Sequence, residues 1–292
     1  MRMSSLNQLT LPAVAALAAL LYGCLGEAPV RRRPVTYAAH AAVATLESPM
    51  PTPCPDGMAL VEGEYCPKVV QRCKWWMDPP GKYHEYRCAE YVKPALCKGE
   101  REHRRFCIDR YERVASQENM AARETGTNRP VFGAASVSDP ARELPLNDQS
   151  WLDAKSACEA TGARVCQESE WNFACEGEEM RPYPYGWSRH AELCNSDQMQ
   201  LLVPGDDSKL RDLRTPAISH PSCVSPFGVH GMAGNVAEWV SVDGVAPGSV
   251  VVQKGAWWHP GKHACRDAQA GHDKYYHGTE TGFRCCKDAE AE

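Results

Sequence analysis

The stretch from Lys254 to His272, KGAWWHPGKHACRDAQAGH, concentrates side chains that could carry chemistry. Imidazole nitrogens and a cysteine thiolate are ligands for copper, zinc and iron, and the thiolate is also a nucleophile. A backbone turn at Gly261 would bring the first two imidazoles together. The candidate residues for a metal or catalytic site are therefore His259, His263, Cys265 and His272, with His277 nearby.

The same residues also have an ordinary structural interpretation. The loop contains no HExxH pattern, no facial-triad spacing and no nucleophile elbow, and clustered histidines alone are a weak indication of a metal site. The imidazoles could lie at the surface or make hydrogen bonds, and Cys265 is expected in a disulfide if the chain is exported. Copper or iron is therefore not expected here, although the side chains would suit either metal.

The N-terminal residues indicate the compartment. Leu11–Gly23 is an apolar segment of thirteen residues, too short to span a bilayer as a helix and typical of a secretory signal peptide. It ends in LYGC, Leu21–Cys24, which resembles a bacterial lipobox whose cysteine receives a lipid. The alternative is an ordinary signal peptide with an incidental cysteine. We expect residues 1–23 to be a lipoprotein signal peptide and residues 24–53, rich in Ala, Pro and Thr, to be a flexible tether.

Cysteine usage agrees with export. The chain has 15 cysteines, and setting aside a lipidated Cys24 leaves an even number, which predicts a disulfide framework. We expect the protein in the bacterial cell envelope, in the outer membrane or periplasm, with the lipid on Cys24 as its contact with the membrane. Six cysteines in or beside a Cys-rich insertion at about residues 64–103 are expected to be structural: Cys54, Cys66, Cys73, Cys88, Cys97 and Cys107.

Length and charge narrow the function classes. The chain has 292 residues, a formal net charge of -5 and a pI of about 6.1. It lacks the basic excess of nucleic-acid-binding proteins, so no nucleic-acid partner is expected. No apolar segment after the leader is long enough to span a membrane. Residues 54–288 are expected to form one domain with a large core.

Periodicity predicts few regular elements to hold the candidate loop. Strands are predicted over Met58–Gly63 and Arg104–Val114 from their apolar patterns. A helix is predicted to begin after the polar residues Asn147–Ser150 and to end at Gly162, and a second, shorter helix is predicted to end at Gly177. The remaining chain is dense in Gly, Pro and Asn, which is typical of a loop-dominated fold.

Six motifs between Met58 and Lys287 occur in the order FCIDRYE, SWLDAKSACEATGARVCQESEWNFACEG, PYPYGW, FGVHGMAGNVAEWV, QKGAWW and TGFRCC. This series resembles the formylglycine-generating enzyme family, also called sulfatase-modifying factors. Several ordered motifs together are more specific than any single one. The resemblance implies an α+β fold of the C-type-lectin-like kind, loop-rich and disulfide-stapled, with little regular secondary structure.

The resemblance also implies calcium. One site would use the carbonyl oxygens of Gly234 and Val236 and the carboxylate of Glu238, and a second site would use Asn195; such hard oxygen ligands suit the ion. Gly231 stands where the enzymes carry a ligating Asn, so one side-chain oxygen is lost at the first site. The alternative is that these residues lock a buried turn through hydrogen bonds.

Disulfide pairings follow from the same resemblance. Cys158 and Cys285 match one family pair, which joins the first helix to the C-terminal motif. Cys175 matches a cysteine whose nearest candidate partners here are Cys265 and Cys286. Cys166 stands where the enzymes usually carry a proline, and its expected partner is Cys194 or Cys223.

The enzymes bind copper through two cysteines five residues apart, and the copper activates oxygen to oxidise a cysteine in a bound peptide. The first matching position here is Pro260, and the second is Cys265 if no gap is allowed. Counted back from GFR, Cys265 instead matches a cysteine that non-catalytic relatives commonly carry. A proline cannot ligate a metal. The sequence therefore predicts a binding or assembly module, with a peptide or protein ligand, that has lost copper-dependent formylglycine formation. The alternative is a metal-dependent oxygenase or oxidase acting on an unknown substrate through a non-standard His/Cys site.

Overall fold

The structure is a computed structural model that describes residues 53–115 and 139–291. The described residues belong to one compact unit. The predicted signal peptide, Cys24 and nearly all of the predicted tether lie outside the described residues. Within those residues, no helix has the length and apolar character needed to cross a membrane.

The regular elements are mostly short strands, with two helices in the described part of the chain. In chain order they are β1 (Met58–Tyr65), β2 (Val69–Val70), β3 (Cys73–Trp76), β4 (Cys88–Tyr91), β5 (Leu96–Cys97), β6 (Glu102–Asp109), α1 (Trp151–Ala160), β7 (Arg164–Val165), α2 (Glu168–Glu176), β8 (Leu202–Val203), β9 (Asp206–Leu210), a 3-10 turn (Ala217–Ser219), β10 (Ala237–Ser241), β11 (Val251–Lys254), β12 (Ala268–Gln269), β13 (Thr281–Gly282) and β14 (Cys285–Asp288). The predicted low content of regular structure is confirmed.

The first sheet has the strand order β1-β6-β14-β7 and is antiparallel throughout. Its central strand β6 places Ile108 opposite Ala59 of β1 and Cys286 of β14. The predicted second strand extended to Val114, but β6 ends at Asp109. The strand stops there because the Asp109 carboxylate accepts hydrogen bonds from the side chain of Arg113 and from a backbone N–H of β14, which fixes a turn.

The second sheet carries the candidate loop. Its strand order is β12-β11-β10-β13, with β10 and β13 parallel and the other pairs antiparallel. Every residue of β10 and β11 is buried, so both strands run through the core and not along a half-solvated face. The loop leaves the end of β11 and returns to the same sheet at β12.

Both helices are positioned by local signals. Ser150 caps α1: its hydroxyl accepts from the backbone N–H of Asp153, whose carboxylate accepts in turn from Ser150, an arrangement that satisfies otherwise unpaired donors. Gly177 ends α2 with φ of 65°, and a Cβ there would lie 2.8 Å from the side chain of Pro226, so glycine is required. The helices pack their apolar residues into the core beneath the loops.

The Cys-rich insertion forms two small hairpins between β1 and β6, β2 with β5 and β3 with β4. Its side chains include exposed aromatic residues, among them Trp75 and Tyr83. A segment with so little buried apolar surface needs covalent links. The six cysteines predicted to be structural pair among themselves as Cys54–Cys107, Cys66–Cys97 and Cys73–Cys88.

The remaining four disulfides lie in the rest of the domain, after the Cys-rich insertion. The pairing implied by the family resemblance, Cys158–Cys285, is present, with the Cα atoms 5.5 Å apart. Cys175 pairs with Cys265, one of its two candidates. The expected partners of Cys166 were wrong. Cys166 pairs with Cys286, and Cys194 pairs with Cys223.

The reason lies in the pairing of β7 with β14, which aligns Val165 with Cys285 and Arg164 with Cys286. Cys166 follows directly after β7, and its Cα lies 4.8 Å from that of Cys286. Neighbouring side chains on a strand point to opposite faces, so the adjacent Cys285 and Cys286 reach different partners. A strand of two residues carries no readable periodicity, which is why the sequence did not reveal this pairing.

Candidate functional site

The candidate loop leaves β11 through a sharp turn. Gly255 and Ala256 have positive φ values of 76° and 55°, and this turn places the two tryptophans that follow on different sides of the loop. Trp258 is fully buried, whereas Trp257 is partly exposed and stacks on His259 with the ring centroids 4.1 Å apart. The loop is therefore anchored in the core through one tryptophan and carries the other at the surface.

His259 and His263 do approach each other, with ring centroids 6.1 Å apart. Both nitrogens of His263 are already used. Arg189 lies 2.8 Å from its Nδ1, and the carbonyl oxygen of Trp257 lies 3.0 Å from its Nε2. The carbonyl oxygen of Gly261 also lies 3.1 Å from Nδ1. Because a guanidinium only donates, the shorter contact with Arg189 requires that Nδ1 accepts, and Nε2 then donates to Trp257. Burial, together with the Arg189 charge, lowers the pKa of His263 to about 4.

This environment is unfavourable for a metal at His263. A metal ligand must offer a free lone pair, and the Nδ1 lone pair is occupied by a cationic side chain that would repel the ion. Arg189 is itself held by Asp197, at 2.6 and 2.8 Å. Burial also lowers the pKa of His259, so both imidazoles are neutral near pH 7.

The other two candidates are not joined to this pair. Cys265 is fully buried in its disulfide with Cys175, so it offers neither a thiolate ligand nor a nucleophile. His272 stacks on Tyr276 at a centroid distance of 3.6 Å. Across the described residues, no group of three or more His, Cys, Asp or Glu side chains is arranged to hold a metal.

A cleft beside the loop is the main open feature of this region. It has a volume of about 430 Å³ and is lined by Tyr86, Gln253, Ala256, Trp257, His259, Lys262, Asp267, Ala268 and Gln269. Tyr86 comes from the Cys-rich insertion, which therefore forms one wall. A smaller cavity shares Tyr86, Lys262 and Asp267 with the cleft, and an open depression beside it is lined by residues of the insertion and by Pro260.

Sequence reasoning missed two residues of this cleft. Tyr86 carried no signal, because its position depends on how the insertion folds back over the loop. Gln253 carried a weak signal in the sequence. A polar residue that directly follows two valines in a strand, as in VVQK over Val251–Lys254, indicates a buried side chain that needs a partner.

The residues of the first implied calcium site do not fit the ion. The Glu238 carboxylate receives two hydrogen bonds of 2.6 Å from Arg284 and one of 2.7 Å from the indole of Trp171. Arg284 and Glu238 are each only 1 % exposed. The guanidinium already neutralises this carboxylate and uses both of its oxygens, so the structural alternative, a hydrogen-bonded buried turn, describes Glu238 better.

Glu112 lies close to Gly231, the position at which the family enzymes carry a calcium-ligating Asn. A Cβ at Gly231 would lie 3.1 Å from a carboxylate oxygen of Glu112, so a larger residue there would press on this carboxyl group. Glu112 accepts hydrogen bonds from the side chain of Asn235 and from the backbone of Val236. Burial and the nearby carboxylate of Glu238 raise the pKa of Glu112 to about 8.

Asn195, assigned to the second implied site, fits an ion better. Its Nδ2 donates to the carbonyl of Leu213 and to the side chain of Asn235, but its buried Oδ1 has no hydrogen-bond partner among the described residues. The hydroxyl of Thr215 is likewise unpaired there. Both residues line one small cavity together with Glu112. A carboxamide oxygen, a hydroxyl and a carboxyl are the hard donors that calcium takes.

Comparison with known proteins covers most of the described chain. Residues 84–289 match the family model described as a sulfatase-modifying factor enzyme 1-like domain. Two curated relatives are named inactive C-alpha-formylglycine-generating enzyme 2. The protein from Bos taurus is 26% identical over 156 residues, which is 50% of this chain and 51% of the relative, and the one from Mus musculus is 27% identical over 156 residues, 50% of each. The chain thus spans about half the length of these relatives.

Two solved structures are similar to this chain, and the first of them shares its fold. The crystal structure of CarF superposes with a TM-score of 0.51 at 17% identity and covers 81% of this chain and 99% of its own. The structure of PvdO from Pseudomonas aeruginosa has a TM-score of 0.48 at 18% identity and covers 81% of this chain and 95% of its own. At these identities, the likeness concerns the fold alone.

Proposed function

Because this chain belongs to the sulfatase-modifying factor enzyme 1-like domain family, we propose that it is a lipid-anchored binding or assembly module of that family that does not convert cysteine to formylglycine. Its many disulfides suggest an extracytoplasmic protein. The chain has the family scaffold. The copper chemistry needs two free cysteines, and the positions that match them are Pro260 and Cys265.

The disulfide between Cys175 and Cys265 is the observation that carries the proposal. Formylglycine formation in the family relies on two thiolates that hold copper(I). The matching positions are Pro260, which has no metal-binding side chain, and Cys265, whose sulfur is bonded to another sulfur. Soft thiolate ligands are what a copper(I) site requires. The chain offers neither ligand.

A binding role is supported by the open cleft beside the loop, which is lined by Trp257, His259 and Lys262 among others. Family resemblance favours a peptide or protein ligand, presented to the protein outside the cytoplasm. The net charge of -5 gives no support to a nucleic-acid partner. The function of the protein would then be to bind a ligand in the cleft, with no chemical step on that ligand.

The direct test is an activity assay. The purified protein is loaded with copper(I), incubated with a sulfatase-type peptide that contains cysteine, and the mass of the peptide is followed. We expect no conversion, and we expect the Cys265→Ser variant to behave in the same way. Conversion that depends on Cys265 would contradict the proposal, and conversion lost only in His259→Ala would support the oxygenase alternative.

Calcium is proposed as a structural ion at Asn195, with Glu112 and Thr215 as the other residues that would hold it. The unpaired Oδ1 of Asn195 and hydroxyl of Thr215 support this assignment. When bound, the ion would supply positive charge next to a buried carboxyl group. A melting temperature that rises with calcium in the wild type, and rises less in Asn195→Ala, is expected. An unchanged melting temperature in the wild type would contradict it.

A further inference from the structure

Gln253 is the most unusual polar residue of the cleft. It lies in the middle of the buried strand β11 and is 2 % exposed. Neither its Oε1 nor its Nε2 has a hydrogen-bond partner among the described residues. Buried carboxamides are normally satisfied, since an unpaired donor and acceptor both cost free energy. Gln253 is one of the residues that line the cleft.

The carboxamide limits what a molecule in the cleft can be. A cation could satisfy only its oxygen, and an inorganic anion could satisfy only its nitrogen. A partner for both atoms must present a donor and an acceptor side by side. Adjacent hydroxyl groups on one carbon skeleton do this, because each hydroxyl donates and accepts. The Nδ1 of His259, also unpaired among the described residues, gives the cleft a further polar position.

The charges around the cleft favour a neutral ligand. Its lining contains one cationic side chain, Lys262, and one acidic side chain, Asp267. Asp267 accepts a hydrogen bond from the backbone of Ala264, and burial raises the pKa of its carboxyl group. Lys262 lies 5.1 Å from the centre of the Tyr86 ring. The lining therefore offers no clustered charge of one sign for a strongly anionic or cationic ligand.

The walls of the cleft are aromatic and extend beyond it. Trp257 and Tyr86 both line the cleft. The adjoining depression is lined by Tyr83, Tyr86 and Pro260 together with Asp78 and Arg87. The cleft has a volume of about 430 Å³. Apolar rings combined with a few fixed polar groups are typical of sites for small organic ligands, and the adjoining depression has room for a ligand of several units.

The cleft is less suited to an extended peptide, which would bind by backbone hydrogen bonds along the edge of a strand. The strand at the rim of the cleft, β12, consists only of Ala268 and Gln269, which is too short an edge for a peptide to add as a further strand. Within the cleft, the buried side-chain atoms without a hydrogen-bond partner among the described residues belong to Gln253 and His259. This arrangement fits a ligand that carries its donors and acceptors on rings.

We propose that the cleft binds a neutral oligosaccharide, with two neighbouring hydroxyl groups of one sugar ring paired to the carboxamide of Gln253 and further rings lying against Tyr86 and Tyr83. The inference rests on the proposed binding function and gives its ligand a chemical class. It assigns a role to the Cys-rich insertion, which supplies the wall along which the ligand extends.

The test uses the purified full-length protein and four probes: tetrasaccharides of glucose, galactose, mannose and N-acetylglucosamine, each titrated to about 10 mM. Binding is followed by tryptophan fluorescence and by NMR. We expect saturable binding of at least one tetrasaccharide. Gln253→Leu is expected to weaken that binding about tenfold or more, because it removes both hydrogen bonds. Tyr86→Ala is expected to weaken the tetrasaccharide more than the corresponding monosaccharide.

The control is Gln198→Leu, at an exposed glutamine outside the cleft, which is expected to bind as the wild type does. If Gln253→Leu does not fold, Tyr86→Ala decides, since Tyr86 is 42 % exposed and its loss should not disturb the core. Failure of all four tetrasaccharides to bind the wild type would overturn the proposal, as would full binding by both variants.

An acetylated tetra-alanine amide serves as the peptide probe. If this peptide binds and the sugars do not, the saccharide assignment is wrong while the proposed binding function stands. Failure of the proposed function itself would be seen elsewhere, as copper-dependent conversion of a cysteine peptide.

Discussion

Arg284 stands between two buried acidic side chains. It forms a bidentate pair with Glu238, while Glu112, also buried, is held by hydrogen bonds to Asn235 and Val236. One guanidinium therefore serves a region with two carboxyl groups. Burial, together with the nearby carboxylate of Glu238, raises the pKa of Glu112. Removing Arg284 would leave Glu238 buried without a counter-ion, the kind of change that costs several kcal/mol.

The lowered pKa of His263 predicts that the free energy of unfolding depends on pH. Its pKa is about 4 in the folded protein and about 6.5 in the unfolded chain. Between about pH 4 and pH 6.5 the imidazole of His263 is therefore protonated in the unfolded chain and neutral in the folded protein. The stability from this residue is present above pH 6.5 and is lost as the pH falls towards 4, by roughly 2 kcal/mol between pH 7 and pH 5.

Denaturant unfolding of the wild type and His263→Gln at both pH values measures this contribution. The variant is expected to be less stable at pH 7 and to lose less free energy of unfolding on acidification. His190→Gln, at an exposed histidine, is the control and should follow the wild type. Identical pH dependence in wild type and His263→Gln would show that the imidazole does not stay neutral in the folded protein.

Helix α1 is an element whose beginning is encoded locally. The hydroxyl of Ser150 lies 3.2 Å from the backbone nitrogen of Asp153 and 2.6 Å from its carboxylate. Ser150→Ala removes both contacts and should lower the free energy of unfolding by about 1 kcal/mol. Ser156→Ala, at an exposed position of the same helix, should have almost no effect. Equal denaturation midpoints for the two variants would mean that tertiary packing alone holds the start of α1.

The strands of two residues, in contrast to α1, are not encoded by local sequence. β7, β12 and β13 are each too short to be recognised from alternation, and they exist because longer strands and disulfides hold them in place. β7 pairs with β14 directly before the Cys166–Cys286 disulfide, β12 pairs with β11 at the edge of the second sheet, and β13 extends that sheet beside β10. Such elements depend on their tertiary context and not on intrinsic propensity.

At the scale of the whole molecule, the proposed anchor is the lipid on Cys24. Cys24→Ala should move the protein from the membrane fraction to the soluble fraction, because no described helix could span a bilayer and the leader segment is short. Leu25→Ala, which keeps the cysteine, is the control and should remain with the membrane. Fractionation that finds the Cys24→Ala protein still membrane-bound would indicate another means of attachment.

The sequence alone determined the features that depend on near neighbours or on residue identity. Helix spacing and caps placed α1 and α2, because a helix is built from contacts within one turn. The family resemblance matches Pro260 to a copper-ligand position, and a proline ring has no donor for a metal. The family resemblance, read from ordered motifs, predicted the fold and the Cys158–Cys285 pair.

Only the tertiary structure decided contacts between residues far apart in the chain. It paired Cys166 with Cys286, placed Arg284 on Glu238 where calcium was expected, and set Arg189 against His263. It also brought Tyr86 of the insertion to the cleft that contains Gln253. Each of these contacts depends on how loops of irregular length cross the core, and that path is selected by the packing of the whole molecule, which no local spacing encodes.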